Sequence, residues 1–82
     1  MNQVLFRTFD DLDRIRKIMT DPKNKEDIVV MFDVRSIEIL NVSTIIEELN
    51  YIRIDNNYEV TEYGFTDKTE STFGYLYQLK ED

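Results

Sequence analysis

The stretch Glu26-Asp27-Ile28-Val29-Val30-Met31-Phe32-Asp33-Val34 decides the fold of this chain, because two structures compete for it. The uninterrupted apolar run Ile28 to Phe32 begins with three β-branched side chains, the composition of a buried strand. The same run also suits a short helix, and over so few residues the hydrophobic period does not separate the two. As a strand it would lie inside a sheet; as a helix it would cross a neighbour.

Upstream, Thr8 and Asp11 are spaced as in a capping box, and Leu12, Ile15, Ile18 and Met19 recur at helical intervals. This predicts a first amphipathic helix from Phe9 to Met19. It should stop at Asp21-Pro22, since a residue before proline is pushed out of the helical region. Downstream, Ile39, Val42, Ile45, Ile46 and Leu49 fall on one stripe of a further helix. Tyr51-Ile52-Arg53-Ile54, then Asp55-Asn56-Asn57, then Tyr58-Glu59-Val60-Thr61 read as two short strands around a polar turn. Near the C-terminus, Phe73, Tyr75, Tyr77 and Leu79 alternate like a strand, whereas Phe73, Leu76, Tyr77 and Lys80 fit a helix begun at Thr66 or Asp67. The helix is the preferred expectation, and Gly74 weakens either.

The 82 residues, without repeats or a composition break, suffice for one domain. With no cysteine and no histidine there is no disulfide framework, no thiolate nucleophile, and neither the commonest general base nor the commonest metal ligand. Paired acids such as Asp10-Asp11 and Glu47-Glu48 diverge by about 100° on a helix and read as dipole or surface groups. The expectation is a protein that binds rather than catalyses, with no metal and no cofactor. No apolar run approaches the roughly 20 residues that span a bilayer. The opening Met1-Asn2-Gln3-Val4 has no signal-like pattern, so a cytoplasmic location with no membrane contact is expected.

The formal charge of −7 disfavours non-specific binding to nucleic acid, but it is unevenly spread. Residues 1–41 carry 7 basic and 8 acidic side chains, whereas residues 42–82 carry 3 and 9. Arg14, Arg16, Lys17, Lys23 and Lys25 form a local basic stretch suited either to phosphate or to ordinary helix-surface ion pairs.

Taken together, the middle of the chain resembles a winged helix-turn-helix domain. Glu26 to Phe32 would be the first helix of the pair, Asp33-Val34-Arg35 the turn and Ser36 to Asn50 the recognition helix, with Ile28, Val29, Phe32, Val34, Ile39 and Val42 at the apolar offsets. The segment from Leu49 to Gly64 resembles the helix end and wing of regulators of the MarR and PadR type, with Asn50 in place of the usual glycine. Val29 and Asp33 stand where that family carries alanine and glycine. The resemblance, over residues 10–64, implies an α+β, mostly helical fold: three helices, a β-hairpin wing and a C-terminal helix. It implies duplex DNA as partner and a transcriptional regulator as function, with Arg35, Ser36, Asn41 and Thr44 of the recognition helix and Arg53 of the wing facing the groove. It also implies a homodimer through Phe73, Leu76 and Tyr77, because two recognition helices have to be held about one DNA turn apart.

Ile37 and Leu40 also point outward on that helix, which suits a protein surface better than a groove. A second functional class is therefore an acidic protein-binding adaptor or inhibitor, one version of which presents Glu47, Glu48, Asp55, Glu59, Glu62, Asp67 and Glu70 on one face as a nucleic-acid mimic. A structural alternative makes Val4 to Phe6 and Ile28 to Phe32 strands, in the order strand, helix, strand, helix, two or more strands. That order resembles the core of the SepF family of bacterial cell-division adaptors, although the glycines expected there are absent at Asn50 and Asn56-Asn57.

Overall fold

A computed structural model of the protein describes residues 2–33, 39–63 and 72–80. Its element order is β1 (Asn2–Phe6), α1 (Asp10–Thr20), β2 (Ile28–Asp33), α2 (Ile39–Asp55), β3 (Tyr58–Tyr63) and β4 (Thr72–Leu79). The strands form one mixed sheet in the order β1-β2-β4-β3. β1 runs parallel to β2, while β4 is antiparallel to both β2 and β3.

This overturns the winged helix-turn-helix expectation. Ile28 to Phe32 is an inner strand, bonded to β1 on one side and β4 on the other, so no helix is available to cross the one that follows. The physical reason is two-sided burial: Ile28, Val30 and Phe32 face the helices and Val29 and Met31 the opposite side, which gives an inner strand its unbroken apolar run. Tyr51 to Ile54, expected as a wing strand, is instead the last turn of α2. Phe73 to Leu79, expected as a third helix, is β4. The fold is α+β, but with two helices and four strands among the described residues.

Both parallel crossovers, β1-α1-β2 and β2-α2-β3, step in the same direction along the sheet. Crossovers of one hand stepping one way place their helices on the same face. The core agrees: Leu12, Ile15 and Met19 of α1 and Ile45, Leu49 and Ile52 of α2 belong to one cluster with Val4, Phe6, Ile28, Val30, Phe32, Tyr58 and Tyr77. Across the strands the helix-facing side is in register, with Phe6 opposite Phe32 and Phe32 opposite Phe73. The rings stack at 5.3 and 5.1 Å, and Tyr75 meets Phe32 edge-on at 6.2 Å. Such pairs contribute about 0.5–1.5 kcal/mol each beyond the area they bury.

The helix ends follow from local chemistry. Asp11 supplies the acidic half of the expected capping box, its Oδ2 accepting from the backbone N–H groups of Arg7 at 2.9 Å and Thr8 at 3.1 Å. α1 stops before Pro22 as expected, with Asp21 extended at ψ 114° and its Oδ1 accepting from the Lys23 N–H at 2.9 Å. α2 closes on Asn56 and Asn57, the latter left-handed at φ 66°. The Asn57 carbonyl accepts from the Lys80 N–H at 2.9 Å, which ties the turn to the end of β4. The Asn-rich turn is thus a helix C-cap leading into β3 rather than a hairpin tip.

Candidate functional site

Of the residues assigned to DNA, Arg35 and Ser36 lie outside the described residues, as does Ile37 of the alternative interface. Asn41 and Leu40 fall in the first turn of α2, and only their backbone is described. Thr44 is exposed one turn further on. Arg53 is half-buried and already engaged: its Nε donates to Asn50 Oδ1 at 2.9 Å and an Nη to the Tyr58 carbonyl at 3.3 Å. It fastens the last turn of α2 to β3. With Ile28 to Asp33 a strand, the groove contacts have no helix pair as scaffold.

Phe73, Leu76 and Tyr77 do not form one dimerisation face. In β4 the first and third point toward the helices and Leu76 away from them. The basic stretch on α1 is partly matched by its own acids, Arg16 to Asp13 at 2.8 Å and Arg14 to Asp11 at 3.7 Å, both pairs exposed on their basic side. The acids proposed for mimicry divide among surfaces. Glu47, Glu48 and Asp55 are exposed on α2, Glu59 and Glu62 are exposed on opposite sides of β3, and Asp67 and Glu70 lie outside the described residues.

What the structure does bring together is the outer face of α2. Its inner stripe, Ile45, Leu49 and Ile52, is in the core, and Val42 and Ile46 pack against it. The opposite stripe, Thr44, Glu47, Glu48, Tyr51, Ile54 and Asp55, is exposed and recurs at three- and four-residue intervals. Tyr51 is 60% and Ile54 64% exposed, so two large apolar side chains one helical turn apart stand in solvent with carboxylates beside them. Reading 51–54 as a strand hid this pair. The available signal was that Ile52 continues the Ile45, Leu49 stripe by a further three residues.

Elsewhere, a hollow of about 260 Å³ beside the α1–β2 turn includes Asn24 and Tyr58 in its wall. Their polar groups are already paired, Asn24 Nδ2 donating to the Tyr58 hydroxyl at 3.2 Å and Asn2 Nδ2 donating to Asn24 Oδ1 at 3.3 Å. Burial pushes the Tyr77 phenol above its ordinary range, Tyr75 adds to the shift, and Arg53 opposes it. Among the described residues no three acids are gathered to hold a metal ion, and no helix is long and apolar enough to cross a membrane. Comparison with protein-family models, curated proteins and solved structures finds no match to this chain.

Proposed function

We propose that this chain is a cytoplasmic protein-binding adaptor that presents the outer face of α2 to a basic partner surface. The observation that carries the reading is the exposure of Tyr51 and Ile54 on a helix face bordered by Glu47, Glu48 and Asp55. Apolar side chains gain little from standing in water, and an aromatic anchor at the centre of a polar rim is the usual anatomy of a protein contact. The carboxylates select for lysine and arginine around the partner's apolar pocket and against acidic surfaces. The absence of cysteine suits a reducing compartment.

Capture of partner proteins on the immobilised chain, compared across variants, tests this. Tyr51→Asp and Ile54→Asp are each expected to lower retention of a specific partner at least about tenfold, the effect of losing a central anchor. Arg14→Ala, on the other helix, should leave retention unchanged. Binding should weaken as salt rises, because the rim attraction is screened. A partner retained equally by both aspartate variants, or tight retention of duplex DNA in place of protein, would overturn the assignment.

A further inference from the structure

The sheet ends in two outer strands, β1 and β3, and they are defended unequally. On β3 the acids Glu59 and Glu62 are exposed. Asn57 turns its carbonyl inward to the Lys80 N–H, so alternation directs the main-chain groups of Tyr58 outward, and there the Tyr58 carbonyl already accepts from Arg53. Charged side chains and a covered edge are the means by which sheets refuse a further strand. β1 has neither. Its five residues, Asn2 to Phe6, include no ionisable side chain and no proline, and their register with β2 runs without a bulge.

Hydrogen bonding fixes which residues of β1 face outward. The Asn2 N–H donates to the Asp27 carbonyl at 2.9 Å, on the approach to β2. Successive residues of a strand turn their main-chain groups to opposite sides, so Asn2, Val4 and Phe6 bond inward, whereas Gln3 and Leu5 present N–H and C=O groups outward. Among the described residues no strand lies on that side. β2 therefore holds a row of donors and acceptors spaced for an extended chain.

The charge around β1 selects the occupant. Residues 1–25, which contain β1 and α1, carry 6 basic and 4 acidic side chains, a net of +2, whereas residues 26–82 carry 4 and 13, a net of −9. α1 packs against β1, with Arg14 and Lys17 exposed on it, and Arg7 is exposed where β1 ends. On the other side of the sheet Leu5 is half-buried. From this we infer that the outer edge of β1 receives an extended segment of a partner protein, in which acidic residues turned toward α1 alternate with apolar residues turned toward Leu5. A strand added in this way takes its affinity from main-chain bonds and its selectivity from alternate side chains. A second copy fits worse, because its own β1 edge brings a like net charge and its β3 edge is guarded.

Amide hydrogen exchange of the whole chain, with and without a synthetic heptapeptide that alternates glutamate and valine, tests this without involving the α2 face. In the free protein Gln3 and Leu5 are expected to exchange at least about tenfold faster than Val4 and Phe6. With a dissociation constant of about 100 μM, peptide at about 1 mM leaves roughly a tenth of the edge free, so exchange at Gln3 and Leu5 should slow about tenfold, and less as salt rises. The same peptide with lysine in place of glutamate should slow it less than about twofold. Gln3→Pro removes an outward donor without touching a bond to β2, a change that edge strands tolerate. It should weaken binding of the acidic peptide at least about tenfold while the far-UV circular dichroism stays that of the wild type. Ile54→Asp, on the helical side, should leave the binding in place. The inference is overturned if Gln3 and Leu5 are as slow as Val4 and Phe6 in the free chain, or if the acidic peptide slows neither. Equal slowing by both peptides, slowing that follows protein concentration in place of peptide, or undiminished binding to a folded Gln3→Pro chain overturns it as well.

Discussion

Ile52 and Ile54 offer a direct comparison of the two readings of the segment that follows Asn50. In the structure Ile52 is 8% exposed and belongs to the core cluster, while Ile54, two residues later, is 64% exposed. Truncating a buried isoleucine to alanine costs roughly 2–5 kcal/mol, and the slight exposure of Ile52 near a helix end places it at about 2–4 kcal/mol. Ile54→Ala removes little buried surface, and alanine is the better helix former, so its effect should stay within about 0.5 kcal/mol of zero. A domain of this size has a total stability of roughly 4–12 kcal/mol, so Ile52→Ala alone removes a large share. In urea, with a slope of about 1 kcal/mol per molar for a small domain, the midpoint should fall by about 2–4 M for Ile52→Ala and by less than about 0.5 M for Ile54→Ala. Were 51–54 a strand, alternate residues would share a face, and the two substitutions would act alike. Equal midpoints, or a larger loss at Ile54, would refute the continuation of α2 to Asp55.

Asn57 holds a left-handed conformation at φ 66° between α2 and β3. Asn57→Ala should destabilise by about 1–2 kcal/mol and Asn57→Gly hardly at all, a difference that thermal melts resolve. Burial raises the Tyr77 phenol, so the folded state favours the protonated form. Its contribution is complete below the unfolded value of about 10 and is lost as pH rises beyond it. Stability measured by urea titration should therefore fall above about pH 10, and Tyr77→Phe, which removes the ionisable group, should flatten that fall.

The elements legible in the sequence are those fixed by local chemistry. The α1 stripe of Leu12, Ile15 and Met19 and the block at Pro22 place that helix within a residue of where it lies. The start of β3 at Tyr58 was equally readable, because Asn56-Asn57 marks a break whichever element precedes it. Ile28 to Phe32 was not, since apolar residues on successive positions satisfy both a two-sided strand and a buried helix turn. What decided it was the pairing with β1 and β4, whose partners lie 26 residues away at Val4–Val30 and 41 residues away at Phe32–Phe73. The C-terminal segment failed for the same reason: Phe73, Tyr75 and Tyr77 become a strand because β2 and β3 flank the slot they fill. Tyr51 and Ile54 escaped notice as a pair because a strand sets residues three apart on opposite faces, whereas α2 brings them to one face a turn apart.

The bond from the Lys80 N–H to the Asn57 carbonyl fastens the end of β4 to the turn that closes α2. Arg53 grips the same turn from the helix through Asn50 and the Tyr58 carbonyl. The helix end that displays Tyr51 and Ile54 is thereby anchored to the sheet, so a protein that docks there meets a surface already ordered and loses less to immobilising it.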